Sequence, residues 1–332
     1  GGGSTVTIAQ RMFEGMNSFA LLAIPLYTFA GFTMSKGGIS KRLMDFCYSI
    51  VGHIYGGLAH VNVLSSMIFA GISGSAVADT AGVSGMFMPE MVRKGYSKNF
   101  TVAVTAISST IGIIIPPSIP MVVIAGICGI STGKLFLGGI IPGVLCGLAQ
   151  MIVSYFMAKK EGVPKEPGHF TIGPVLHGLW ESWPALLMPI IIVGTITMGI
   201  VSPTEAGVIA VVYGLFAGGI IYRELKWEDI KFAFAETVRT SGRIFIVIGA
   251  AKLYTVMLTT AGFDKWVAKT MLGFSTNPTV ILIMILLIFF IVTMFMESIA
   301  TLTLFMPILY PIALGVGIDP IVLSVLITVV IG

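Results

Sequence analysis

Long apolar segments, separated by short polar ones, make up most of the chain. Most of them approach the roughly 20 residues that a helix needs to cross a bilayer. The pattern predicts apolar helices over residues 19–34, 135–157, 184–201, 206–222, 244–261 and 278–295. It is typical of an all-α integral membrane protein rather than of a soluble domain.

The first half of the chain interrupts this pattern twice with small, polar and helix-breaking residues. The segment 70–95 is too short and too polar for two full crossings, so we predict a re-entrant helical hairpin with its tip near residues 73–80. The segment 100–130 is long but is interrupted at Gly112 and at Pro116-Pro117, which predicts a broken helix. Broken helices at membrane depth are typical of the binding sites of transporters.

A second hairpin is predicted over residues 278–317, and it repeats features of the first. Asp79 precedes Pro89 by ten residues, and Glu297 precedes Pro307 by ten, so both pairs share an offset of 218 (297 − 79 and 307 − 89). Counting the crossings between the basic loops indicates that the two hairpins enter from opposite faces. We therefore predict an inverted repeat, which is common among secondary transporters.

The repeat divides the chain into two units. We assign residues 5–162 to the first repeat, residues 163–183 to a cytoplasmic linker and residues 184–332 to the second repeat. The final apolar run, over residues 320–331, is shorter than a spanning helix, and we expect both ends of the chain to be truncated.

Composition supports the membrane assignment and restricts the partners. Hydrophobic residues make up 56% of the 332 and charged residues only 10%, against about 25% charged in soluble domains. The net charge of +4 is too small to indicate nucleic-acid binding. Three basic loops, at 36–42, 158–165 and 223–243, mark the cytoplasmic face of a multi-pass protein that is surrounded by lipid.

Polar oxygens at the hairpin tip and at the helix break suggest a cation site. Ser73, Gly74 and Ser75 supply hydroxyls and freed carbonyls at the tip, and the break adds Ser108, Ser109, Thr110 and Gly112. Neutral oxygens of this kind suit a dehydrated alkali cation. The alternative is that these small residues only allow helices to pack closely.

Two acids lie inside the hydrophobic hairpins. Asp79 and Glu297 are candidate functional residues because acids in a membrane are costly, although each could instead cap a hairpin helix. No cluster of cysteine, histidine and carboxylate residues has the spacing of a transition-metal site, and we expect no organic cofactor.

One enzymatic alternative remains open on the sequence alone. The Gly-Ile-Ser-Gly sequence around Ser73 would suit the nucleophile of an intramembrane serine protease, with His53 or His60 as the base. A lone sequence of this kind is a weak signal, and an inverted repeat has no role in proteolysis.

Five stretches resemble a known family when they are taken together. They are NSFALLAIPL at 17–26, GISGSAVAD at 71–79, GIIIPPS at 112–118, SPTEAG at 202–207 and FMPILYP at 305–311. Through them the chain resembles the large membrane subunit of TRAP transporters, the DctM-like family.

The resemblance implies an elevator-type fold with a scaffold, arm helices and two re-entrant hairpins. It implies sodium-driven import of small organic acids, such as carboxylates or sialic-acid-like molecules, across the bacterial inner membrane. It also implies two partners, a small membrane subunit and an extracytoplasmic substrate-binding protein.

The resemblance also assigns site residues. It places Ser73, Gly74, Ser75, Ser108, Thr110 and Gly112 around one sodium ion, and Ser298 and Thr301 at a second metal site. It places Asp79, Pro116, Pro117, Ser118 and Glu297 near the substrate. Glu297 stands where the family usually has Asp.

Overall fold

The computed structural model describes residues 5–163 and 170–332, and over these residues the protein is helical with no strand. Six of the helices are long and apolar enough to cross a membrane, which confirms the predicted all-α membrane fold. The helices are α1 (Thr5–Met16), α2 (Ala23–Lys36), α3 (Ile39–Val51), α4 (Gly57–Ser73), α5 (Ala76–Arg93), α6 (Lys98–Thr110), α7 (Ile119–Cys128), α8 (Thr132–Lys160), α9 (Ile172–Thr197), α10 (Pro203–Phe216), α11 (Trp227–Thr260), α12 (Phe263–Phe274), α13 (Pro278–Thr293), α14 (Ser298–Gly315) and α15 (Pro320–Ile331).

The predicted linker at 163–183 differs from the structure. Residues 164–169, which include Lys165 of the second basic loop, lie outside the described residues. From Ile172 onward the segment belongs to α9, which continues without a break to Thr197. Its later part is therefore helix rather than linker.

The first hairpin consists of α4 and α5 and is longer than predicted. Its first arm begins at Gly57 rather than at residue 70. Gly74 forms the tip in the left-handed region, with φ of 62°, a conformation that glycine adopts without strain. A Cβ on Gly82 of α5 would lie 3.2 Å from the ring of Phe69 on α4, so the two arms pack against each other.

The broken helix consists of α6 and α7. The first half ends at Thr110 and continues into a short 3-10 turn, and the second half begins at Ile119. The connection includes a cis peptide between Pro116 and Pro117. Ser118 caps the new helix, because its hydroxyl accepts a hydrogen bond from the N–H of Met121.

The second hairpin consists of α13 and α14, within the predicted segment 278–317. Glu297 forms its tip and caps α14. Phe289 and Phe305 lie eight residues before and after this tip, and their ring centroids are 6.4 Å apart. The two arms therefore run antiparallel from the tip.

The two hairpins repeat at an offset of 222 residues. The second arms, α5 and α14, each have 18 residues and begin after the capping residues Ser75 and Glu297. The glycines that follow them have φ of 90° and 84°, and the next helices have N-caps two residues later. The glycines are Gly95 and Gly317 (317 − 95 = 222), and the N-caps are Ser97 and Asp319 (319 − 97 = 222).

The pairing of Asp79 with Glu297 is therefore wrong by about one helical turn. At the structural offset, Asp79 corresponds to Thr301 and Pro89 corresponds to Pro311 (301 − 79 and 311 − 89 are both 222). Glu297 corresponds to Ser75, the capping residue of the first tip. The two acids thus occupy different positions in the repeat.

The hairpins point in opposite directions along the long helix α11. A Cβ on Gly82 of α5 would lie 3.0 Å from the hydroxyl of Ser35, near the end of α2. The adjacent residue, Lys36, places its ammonium 4.8 Å from the ring centre of Phe232, near the beginning of α11. The second arm of the first hairpin therefore runs toward the Trp227 end of α11.

The second arm of the other hairpin runs the opposite way. Glu297 at its tip shares a cavity with Arg243 of α11. Pro307, three turns further along α14, shares a different cavity with Lys252. Since residue numbers increase together, α14 runs toward the Thr260 end of α11, and the hairpins are inverted relative to each other.

Two of the basic loops, at 36–42 and 223–243, lie in contact with each other. Arg42 forms a 2.7 Å ion pair with Glu224, and its carbonyl accepts a 2.9 Å hydrogen bond from Ser182. Ser97 donates a 3.1 Å hydrogen bond to Glu161 at the end of α8. The ion pair joins the loops at 36–42 and 223–243, as the prediction that these two share one side of the membrane requires.

Candidate functional site

A cavity of about 440 Å³ lies between the two hairpin tips. Both tips line it, together with the end of α6, the start of α7 and the middle of α11. We call it the tip cavity, and the lining residues used below are Ser75, Thr110, Arg243, Glu297 and Ser298.

The first tip is joined directly to the helix break. The N–H of Ile119 donates a 3.1 Å hydrogen bond to the carbonyl of Gly74. A Cβ on Gly112 would lie 3.3 Å from the carbonyl carbon of Ser75 and 3.4 Å from its oxygen. The backbone of the tip thus reaches the break closely enough that Gly112 leaves little room for a side chain.

The second tip makes a similar contact with the end of α15. Ser298 donates a 3.3 Å hydrogen bond to the carbonyl of Ile331. The carboxylate of Glu297 accepts two backbone hydrogen bonds from the first turn of α14, at 2.9 and 3.2 Å. Thr301 donates at 3.1 Å to the carbonyl of Glu297. Glu297 is therefore both the helix cap and an acid at the cavity wall.

Ser108 lies one turn before the break and belongs to a different cluster. Its hydroxyl donates to Asn62 at 3.0 Å and lies 3.3 Å from the hydroxyl of Ser66, both on α4. Ser73, by contrast, lies within hydrogen-bond distance of the backbone of Ser75 at the tip. The hydroxyl of Ser108 is thus used between helices α4 and α6.

The predicted site residues divide into three groups. Those that line the tip cavity are Gly74, Ser75, Thr110, Glu297 and Ser298. Those that lie on the tips or at the break without lining the cavity are Ser73, Gly112, Pro116, Pro117, Ser118 and Thr301. Asp79 and Ser108 lie deeper, where α4, α5 and α6 pack together.

The two hydroxyls beside the break are partly satisfied within the chain. Thr110 donates to the carbonyl of Ile107 at 2.8 Å. Ser118 donates to the carbonyl of Ile113 at 2.6 Å. Each oxygen keeps lone-pair capacity for a cation, because donation uses only its hydrogen.

Asp79 is a buried acid without a hydrogen-bond partner. Its side chain is 0% exposed, and neither carboxyl oxygen is within hydrogen-bond distance of a described group. Ser66 of α4 faces the carboxyl without reaching that distance. An ionised carboxylate in such a place is costly unless a cation accompanies it.

Sequence reasoning missed Arg243 as a site residue. It treated Arg243 as the end of a basic amphipathic segment, whereas α11 runs as one helix of 34 residues and places Arg243 in its interior. The side chain lines the tip cavity, and no ion pair to Arg243 occurs among the described residues. The absence of any proline between positions 227 and 260 is the signal that could have revealed it, although Gly242 and Gly249 lie in this range.

The geometry does not support a serine protease. Ser73 and His60 lie on the same helix, 13 residues apart, which corresponds to about 20 Å along the axis. His60 instead places Nε2 3.2 Å from the carbonyl of Tyr55. The ring of His53 packs against Phe170, with centroids 5.9 Å apart. Neither histidine is positioned to activate Ser73.

Comparison with known proteins gives the family. Residues 2–332 match the model for the tripartite ATP-independent periplasmic transporter, DctM component. The chain belongs to the DctM family. The resemblance that the sequence motifs indicated is therefore confirmed.

Three relatives illustrate the range of this family. The isethionate TRAP transporter permease protein DctMQ of Oleidesulfovibrio alaskensis is 38% identical over 97% of this chain and 51% of that protein. The sialic acid TRAP transporter large permease protein SiaM of Vibrio cholerae is 37% identical over 94% of this chain and 73% of its own length. The C4-dicarboxylate TRAP transporter large permease protein DctM of Pseudomonas aeruginosa is 36% identical over 98% and 76%.

The chain spans about half of the first relative and about three quarters of the other two. All three are named as transporter permeases. This DctM chain is accordingly a transport protein of the membrane and not an enzyme.

Proposed function

We propose that this DctM chain is the large membrane subunit of a sodium-coupled transporter that imports small organic anions by an elevator mechanism. The observation that carries the proposal is the tip cavity, where two oppositely directed hairpin tips meet. Sites at the meeting point of inverted repeats are typical of secondary transporters.

Sodium binds at the junction of the first tip and the helix break in this proposal. The carbonyl of Ser75 approaches Gly112, the carbonyl of Gly74 lies at the start of α7, and Thr110 lines the same cavity. Several neutral oxygens at such a junction can replace the hydration shell of a monovalent cation. Ser298 and Thr301 supply oxygens to the corresponding second site.

The substrate is an anion that occupies the tip cavity. Among the residues that line this cavity, Arg243 supplies a positive charge. The relatives named above carry isethionate, sialic acid and C4-dicarboxylates, all of which are anionic at neutral pH. A guanidinium can hold a carboxylate or sulfonate through two parallel hydrogen bonds. The break at Pro116, Pro117 and Ser118 supports the cavity wall.

The proposal includes partners and a location. A small membrane subunit and an extracytoplasmic substrate-binding protein complete the transporter in the bacterial inner membrane. The face that carries the basic loops is cytoplasmic. Exposed apolar side chains on α8, such as Ile141 and Phe156, face lipid or the small subunit.

Substitution of Gly112 tests the sodium site. In Gly112→Ala, the new methyl group would press on the Ser75 carbonyl at 3.3 to 3.4 Å and disturb the junction. We expect the sodium concentration for half-maximal uptake to rise about ten-fold, which corresponds to a loss of about 1.4 kcal/mol. The measurement is uptake of labelled succinate, sialic acid or isethionate into proteoliposomes containing the complete transporter.

Gly85→Ala is the matched control, because a Cβ at Gly85 on α5 would meet nothing within 4 Å. It should leave the sodium dependence unchanged. If uptake by the unaltered protein is the same with a potassium gradient as with a sodium gradient, the proposal of sodium coupling is wrong.

A further inference from the structure

A second cavity, of about 220 Å³, lies beside α11, closer than the tip cavity to the Thr260 end of that helix. We call it the Lys252 cavity. Residues from α1, α7, α11 and α14 line it, and those used below are Glu14, Ser18, Lys252, Thr303 and Pro307.

An apolar layer separates the two cavities. It is a distinct cluster of buried side chains contributed by α2, α7, α11, α14 and the turn before α2. Its members are Leu21, Ile24, Ile119, Val123, Ile248 and Ile299. Ile119 and Ile299 also line the tip cavity, whereas Leu21, Val123 and Ile248 also line the Lys252 cavity. The layer therefore acts as a seal between two compartments.

The same three helices pass through both compartments in the same order. On α11, Arg243 lies in the tip cavity and Lys252 in the other. On α14, Glu297 and Pro307 take the corresponding places, and α7 likewise contributes residues to both. Arg243 and Lys252 are nine residues apart, which is about 14 Å along the helix axis. Each cavity thus has one cation from α11.

Lys252 lacks an ion pair within the described part of the chain. The acid in its cavity, Glu14, instead forms a 2.9 Å ion pair with Arg11. Its side chain is exposed, and a charged side chain on a helix that crosses the membrane is costly unless it meets an anion or water. Ser18, which does not belong to the helices that move in the proposal below, lines the same cavity and can contribute its hydroxyl to anion binding.

We propose that Lys252 binds the anionic group of the substrate when the transporter faces the opposite side of the membrane. This rests on the proposed function. Movement of α7 and α14 along α11 by about 14 Å exchanges Arg243 for Lys252 as the partner of the substrate. Before the movement, in the arrangement seen here, the apolar layer separates the substrate cavity from Lys252. By the positions of the basic loops, Arg243 serves the cytoplasmic side and Lys252 the outer side.

Directional transport measurements test this assignment. Right-side-out and inside-out vesicles with the complete transporter are assayed with the labelled anion, among succinate, sialic acid and isethionate, that the unaltered protein carries. In Lys252→Gln we expect the half-saturating concentration from the outer side to rise about ten-fold, as for the loss of one charged contact. The value from the cytoplasmic side should stay unchanged. Lys252→Arg should retain most of the outer affinity.

Two further variants make the result decisive. Lys252→Met removes the charge from a helix interior and should fold at least as well as the unaltered chain, so it must reproduce the Lys252→Gln result. Lys269→Gln on α12 removes an exposed positive charge outside both cavities and should alter neither side.

The proposal is overturned if removal of Lys252 changes neither direction, both directions equally, or only the cytoplasmic side. Failure of the proposed function has a different signature, because the unaltered protein would then show no sodium-driven uptake of any of the three anions.

Discussion

At the scale of a single residue, burial of the Asp79 carboxyl costs folding free energy. It is enclosed by α4, α5 and α6 without a hydrogen-bond partner among the described groups. Replacing it with the isosteric Asn removes the ionisable group, so we expect Asp79→Asn to stabilise the sodium-free protein by about 1 to 3 kcal/mol. The melting temperature in detergent with potassium chloride measures this.

The same variant tests whether a cation accompanies Asp79. If a bound cation balances the carboxylate, sodium chloride should raise the melting temperature of the unaltered protein more than that of Asp79→Asn. Glu228→Gln, which alters an exposed acid at the start of α11, serves as the control. A lower melting temperature for Asp79→Asn in potassium chloride would contradict the cost assigned to this carboxyl.

At the scale of the helices, capping residues fix where each helix begins after a break. Ser118 is buried, donates to the carbonyl of Ile113 and accepts from the N–H of Met121. Ser131, at the start of α8, makes a single and longer capping contact of 3.4 Å with the N–H of Lys134. The two positions allow a matched comparison of a cap at the helix break with an ordinary cap.

We expect Ser118→Ala to cost about 1 to 2 kcal/mol and Ser131→Ala less, because only the first also leaves a buried carbonyl unpaired. Thermal unfolding of both variants in detergent checks this. Equal losses in the two variants would indicate that the break contributes no more than an ordinary helix start.

Helix breaks could be predicted from sequence because their signals are local. Gly112 and the adjacent prolines Pro116 and Pro117 act together within a few residues, and the structure places the break there, whereas single prolines such as Pro142 lie inside helices. The start of the first hairpin could not be predicted in this way. The sequence pattern predicted a start at residue 70, whereas Asn62 and Ser66, which lie before it on α4, pack inward against α6. The polarity of these side chains favours contact with water, but in the folded protein they form buried hydrogen bonds with residues of α6.

The register of the repeat was misjudged for a related reason. The equal spacing of Asp79 from Pro89 and of Glu297 from Pro307 indicated an offset of 218. Helix starts are instead fixed by capping, and the caps Ser75 and Glu297 give 222. A rule based on capping would have been more reliable than one based on identical residues.

At the scale of the whole molecule, α11 organises both compartments. The sequence pattern divided it into an amphipathic segment and a separate span, but its 34 residues form one helix of about 51 Å. This length exceeds the roughly 30 Å of a hydrocarbon core. One rigid helix therefore connects the basic face with both cavities, which short-range patterns could not reveal.

This arrangement predicts that the two cavities open to opposite sides. Thr240 lines the tip cavity and Thr303 the Lys252 cavity, so single cysteines at these positions report on each compartment. With Cys47, Cys128 and Cys146 replaced, a membrane-impermeant thiol reagent should label Thr240→Cys from the cytoplasmic side and Thr303→Cys from the outside. The apolar layer that lies between the two cavities is the reason for this expectation. Labelling of both cysteines from the same side would show that the cavities belong to one continuous vestibule, and the inference about Lys252 would then lose its structural basis.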